Sequence, residues 1–173
     1  MKDLLFALIA ICLSCNSAKN NSSEDKGKYF VSIYTSIGDF KGHGKEFSDK
    51  CTAILNNIVE DKFNATDTDG LALLLENARV SLKSSFEDIS KLQEVDTAID
   101  LKSKCIAYLQ ESKNYYDNYY GKFLSLTKVP RNDDSLATLQ MISKEIKLLK
   151  RKDSAVINAY QSFKEKYGIV VSN

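Results

Sequence analysis

Tryptophan is absent from this chain, and proline and histidine occur once each, as Pro130 and His43. One proline and seven glycines are too little turn punctuation for a fold of many short strands. No apolar run reaches the roughly 18 residues that mark a permanent transmembrane helix. A net charge of +1 gives no electrostatic reason to expect nucleic acid or a strongly acidic partner. A lone histidine leaves no histidine pair and no Glu-x-x-His motif, so the carboxylate-bridged di-iron bundle pattern is missing. There is no CxxCH for covalent haem. His43 and Met141 fall at different expected heights, which argues against their sharing a haem.

What is present is helical periodicity. The chain has 173 residues, room for one domain with a sizeable core. Apolar residues recur in steps of three and four in four stretches. The first runs from about Lys28 to Phe63 on Phe30, Ile33, Ile37, Phe40, Phe47, Cys51, Ile54 and Ile58. The glycines at 38, 42 and 44 interrupt it, and a kink or break is expected near Gly42-His43-Gly44. The second carries Leu71, Leu75, Ala78, Leu82, Phe86 and Ile89 after a loop over 64–70. The third, from about Asp96 as cap to Lys128, carries Leu101, Cys105, Tyr108, Ser112, Tyr115, Tyr119 and Phe123. Pro130 separates it from a fourth on Leu139, Ile142, Ile146, Leu149, Asp153, Val156, Tyr160, Phe163 and Tyr167, stopped by Gly168.

Short loops between long helices predict an all-α, antiparallel up-down-up-down four-helix bundle over 28–173. At about 1.5 Å per residue the first and fourth helices are each near 50 Å and the second nearer 35 Å. The start of the first therefore overhangs the second and meets the end of the fourth. Both ends are aromatic: Tyr29, Phe30 and Tyr34 against Tyr160, Phe163 and Tyr167.

The N-terminus has a different character. Lys2 precedes a short apolar run, Leu4 to Leu13, then Ser14-Cys15, then the polar stretch NSAKNNSSEDKG. About ten apolar residues suit a signal h-region rather than a span. This segment resembles the signal of bacterial lipoproteins. Ser14-Cys15 matches the last two positions of their lipobox, with Cys12 where Leu is usual and Leu13 where Ala or Ser is usual. The resemblance implies that 1–14 are removed, that Cys15 is acylated, and that 15–27 form a disordered tether. It implies a lipid-anchored protein of the bacterial cell envelope, and Asn16 after Cys15 accords with outer-membrane sorting. The helical body likewise resembles small surface lipoproteins of spirochaetes and Bacteroidota.

Chemistry in the body is sparse. The loop around Asp67, Asp69 and Gly70 has EF-hand spacing to Glu76, but Ala65 stands where the first calcium ligand is needed. A helix cap explains the same residues. Tyr116 and Tyr120 lie beside the third stripe, at the rim, as a patch for a protein partner or as padding of the core edge. Lys144, Lys147, Lys150, Arg151 and Lys152 make a basic run on the fourth helix, which a solvated face also explains. Asp153 falls on an apolar seam and either pairs with a lysine, marks a wetter layer or fixes register. Cys51 and Cys105 come out at similar heights, which leaves open both a disulfide and two buried thiols. No nucleophile, base and orienting group can be assembled, and no phosphate loop or metal-ligand cluster is present, so neither catalysis nor a cofactor is expected. The sequence leaves a binding or structural role, or a bundle that holds a metal, haem or small apolar ligand.

Overall fold

A computed structural model describes residues 23–127 and 133–170. Among these, four long helices account for nearly all the structure: α1, Ser23–Val59; α2, Leu71–Lys91; α3, Leu101–Leu126; and α4, Asp133–Tyr167. Each packs on its sequence neighbour, and α1 closes the bundle against α4. This is the antiparallel four-helix bundle that the periodicity predicts. None of the four is long and apolar enough to cross a membrane.

Helix α1 departs from the sequence reading twice. It starts at Ser23, so residues 23–27 of the expected tether are helical. Glu24 and Asp25 lie in its first turn, where they favour the positive end of the helix dipole, and Glu24 pairs with Lys28 one turn on. The break expected at Gly42-His43-Gly44 is absent, since one uninterrupted helix passes through all three glycines. The two neighbouring faces explain it. Phe40 and Phe47 are buried on either side, so burial holds the segment helical against glycine's low propensity.

Where α1 meets α2, the side chains are small. Ala78, Ser81 and Ser85 of α2 are buried. The Ser81 hydroxyl donates to Asp39 at 2.6 Å and the Ser85 hydroxyl to the Ser36 carbonyl at 2.7 Å. Small residues bring the backbones close, and their hydroxyls find partners as they are buried. The α1/α4 seam is the opposite case. Few backbone segments approach closely there, and aromatic rings bridge the gap. Phe30 stacks on Phe163 at 5.9 Å and meets Tyr160 edge-on at 5.6 Å, while Tyr29 lies 5.5 Å from Phe163. The aromatic meeting of the two helix ends is as expected.

The α2/α3 connection is longer than the expected turn at 93–96, because α3 begins at Leu101 rather than at Asp96. Asp96 still caps, but it caps the turn before the helix: its carboxylate accepts the Ala98 and Ile99 amides at 3.0 and 3.4 Å. Asp100 then takes a left-handed conformation, φ 58°, and opens α3. At the other end Gly168, φ 60°, stops α4, and the Ile169 amide returns to the Lys164 carbonyl, as a glycine C-cap should. The helix stop around Val129-Pro130 lies outside the described residues.

Candidate functional site

The spacing of the α1/α4 seam opens a cleft at mid-bundle, between α1, α3 and α4. It encloses about 340 Å³. Phe40 and Phe47 of α1 and Tyr108, Tyr115 and Tyr116 of α3 form an aromatic floor, and Ile146 and Leu149 of α4 form an apolar wall. The rings pack edge to face: Phe47 on Tyr116 at 5.5 Å, Phe40 on Tyr108 at 5.7 Å. Such T-shaped contacts suit the aromatic quadrupole and hold the floor rigid. Gly44 faces this floor. A Cβ there would lie 3.1 Å from the Tyr116 hydroxyl, so the glycine makes room for a tyrosine reaching across from α3.

The polar groups stand at the edge. Lys41, Lys45 and Lys150 line the cleft, with Asp153 as the only carboxylate in the lining. Asp153 forms an ion pair with Lys41 across the α1/α4 seam, and the Lys41 ammonium also stands 5.7 Å from the Tyr108 ring. This answers the question Asp153 raises in the sequence, since it pairs with a lysine of α1. Burial pushes the Tyr108, Tyr115 and Tyr116 hydroxyls above the usual phenol range, so all three stay protonated. The floor therefore offers neutral hydroxyls under a positively charged edge.

Of the two residues singled out from the sequence at the rim, Tyr116 is core and Tyr120 is half-buried at the core edge. Tyr116 is buried, 6% exposed, in contact with Phe40 and Phe47, and Tyr120 packs on Phe47 at 5.9 Å. The buried line of α3 runs Leu101, Cys105, Leu109, Ser112, Tyr116, Phe123, one residue on from the expected stripe at Tyr108 and Tyr115. Steps of four carry the line that way, and because α3 touches three helices both edges of the stripe are covered.

The acidic loop caps its own 3-10 turn and not α2, whose N-cap is Gly70 without a side-chain hydrogen bond. The Asp67 carboxylate accepts the Asn64 amide and the Asn57 side chain, both at 3.0 Å, and Asn64 in turn accepts from Thr66, closing a capping box on the 3-10 turn Ala65–Thr68. The Asn64 amide above all holds its pKa below the usual carboxylate range. Glu76 is exposed on α2. Among the described residues no three His, Cys, Asp or Glu side chains converge as a metal site.

Cys51 and Cys105 are buried free thiols, each pushed up to about 12 by burial. Their layers differ. Cys105 faces Tyr160, whose hydroxyl donates to the Ile33 carbonyl at 3.4 Å. Cys51 lies about 27 Å further along α1 than Ile33 by helical rise. A disulfide needs Cα atoms within about 7 Å. The sequence placed them level because it started α3 a turn too early and ended α1 too late. Cys15 lies outside the described residues.

A second polar cluster escaped sequence reading. Glu94, in the α2/α3 connection, accepts the Tyr29 hydroxyl at 2.6 Å and the Lys102 amide at 3.0 Å. Two residues on, Asp96 accepts Lys166 and the Tyr167 hydroxyl of α4. Lys102 closes the loop by donating to the Ser90 and Leu92 carbonyls. Tyr29, Lys166 and Tyr167 stand 65 to 71 residues from the carboxylates they meet, so no local pattern could announce those bonds.

With this geometry the protein is classed as an antiparallel four-helix bundle with an aromatic cleft between α1, α3 and α4. No protein-family model matches the chain, and neither a curated protein nor a solved structure does.

Proposed function

We propose that this protein is a lipid-anchored binding module of the bacterial cell envelope, held to the outer membrane through Cys15. Its bundle takes a small, largely apolar ligand in the cleft between α1, α3 and α4. The cleft is the observation that carries this reading. Its volume of about 340 Å³ falls in the range of small-molecule sites, its walls are mostly apolar, and a few polar groups stand at its edge. The short h-region, Ser14-Cys15 and the polar stretch after it support the anchor.

The two helix ends near the anchor converge. The Lys26 ammonium lies over the Tyr167 ring at 4.6 Å. With the lipid on Cys15 this pole faces the bilayer, and the cleft begins about 25 Å further along α1. A ligand there is clear of the lipid headgroups and open to the space beyond them.

Two measurements test the reading. Cells supplied with labelled palmitate are expected to label the protein but not Cys15→Ala, and Cys15→Ala is expected in the soluble fraction. An unlabelled protein that still sediments with membranes would remove the anchor. For the cleft, the neutral dye phenylnaphthylamine is expected to bind saturably, one per chain. Absence of saturable binding would remove the cleft as a site.

A further inference from the structure

We infer that the ligand of this cleft is a small amphipathic anion: an apolar body lying on the tyrosine floor, ending in a carboxylate, phosphate or sulfonate held by Lys45 and Lys150. The inference rests on the cleft reading and adds the charge of the ligand to it.

The charge of the lining carries it. The chain as a whole is nearly balanced, at +1. The cleft is not: three lysines face one carboxylate. That carboxylate, Asp153, is already committed to Lys41. Lys45 and Lys150 remain, one on α1 and one on α4, both lining the cleft. Lys45 pairs with Asp49 one turn along α1, but both side chains are well exposed. Such a pair contributes little and yields readily to a competing anion. Lys150 is exposed as well.

The floor fixes the rest of the ligand. Aromatic rings below and Ile146 and Leu149 beside give an apolar surface, and the half-buried Lys41–Asp153 pair at its edge satisfies itself. A free inorganic anion would gain nothing from this floor, and a wholly apolar molecule would leave both lysines without a role. The protonated hydroxyls of Tyr108 and Tyr115 can donate to a polar substituent part-way along the body.

The same seam continues toward the anchor end as a second groove of about 330 Å³, lined by Tyr34, Ile37, Ile157, Tyr160 and Lys164 and sharing Lys41 with the first. An acyl chain, roughly 15 Å long as half of a bilayer core, is short against the run of about 26 Å from Phe30 to Phe47 on α1. A tail longer than the cleft therefore has apolar surface to follow.

The test compares two dyes of similar shape that differ in charge, anilinonaphthalene sulfonate and neutral phenylnaphthylamine, on the full mature chain. The anionic dye is expected to bind the tighter, one per chain, and to be displaced by laurate. Lys45→Gln combined with Lys150→Gln is expected to weaken the anionic dye roughly tenfold and leave the neutral one unchanged. Raising the salt is expected to act in the same direction as the double substitution. Both positions are exposed, so the variant is expected to fold, and unchanged helical circular dichroism checks that. Equal binding of both dyes, indifferent to the two lysines, would overturn the anionic ligand and leave the cleft as an apolar site. Failure of both dyes to bind would overturn the cleft reading as well.

Discussion

At the level of single residues, Asp96 does the most. It is 7% exposed, and its carboxylate takes four bonds: from Lys166, Tyr167 and the amides of Ala98 and Ile99. The Lys166 bond above all holds its pKa down, to about 2. A carboxyl whose folded pKa is depressed gives stability above its unfolded pKa, near 4, and loses it as pH falls through the folded value. The contribution is about 1–2 kcal/mol, reduced because Lys166 is half exposed. Wild-type protein is therefore expected to lose that much between about pH 4 and pH 2. Asp96→Asn should be less stable than wild type at neutral pH and lack that part of the acid dependence. Urea melts of both proteins across this range give the answer, and parallel acid profiles would refute the role. The sequence showed Asp96 as a cap, because capping is local. It could not show Lys166 and Tyr167, because they come from the far end of the chain.

At the level of elements, periodicity carried the four helices, their order and the aromatic meeting of α1 with α4. It misplaced both ends of α1 and the start of α3 by about a turn, since a helix end depends on caps and on what it packs against. That error brought the cysteines toward one apparent layer, while a stripe read one residue off, on Tyr115 and Tyr119, left Tyr116 at the rim. The glycines of α1 misled for a related reason. Propensity alone marks a break, but Gly44 answers to Tyr116, a residue of another helix. This separates the three glycines experimentally. Nothing lies within 4 Å of a Cβ added at Gly42, whereas one at Gly44 meets the Tyr116 hydroxyl at 3.1 Å. Gly42→Ala is expected to stabilise the protein by up to about 1 kcal/mol. Gly44→Ala should gain less or lose stability, as the tyrosine must shift. Urea midpoints decide it, and equal gains at both positions would show that Gly44 makes no room for the ring.

At the level of the whole molecule, the bundle was legible and the cleft was not. A cleft is a difference in spacing between helix pairs. It comes from small residues on one interface, Ala78, Ser81 and Ser85, and large rings on another, Phe30, Tyr160 and Phe163. Sequence shows both sets, but only the packed bundle shows that the rings prop α1 away from α4 near the line of Lys41 and Asp153. The one sequence signal for it was Asp153 itself, a charge on an apolar seam. The lysines that face it were hidden among the other charges of α1 and α4.

The contact between Lys26 and Tyr167, with Tyr29 on Phe163, means that the described chain begins and ends at one place. Helix order is then close to cyclic: α4 adjoins α1 through aromatic rings, as α1 adjoins α2 through small residues. A circularly permuted protein follows, with a short linker from residue 170 to Ser23 and new termini opened between Asp61 and Lys62. Both residues are exposed, and Asp61 has a left-handed backbone, φ 57°, that the cut relieves. The permuted chain is expected to melt cooperatively and to bind phenylnaphthylamine as the natural order does. A segment attached at the new terminus would leave the bundle from its opposite end, with the cleft unchanged.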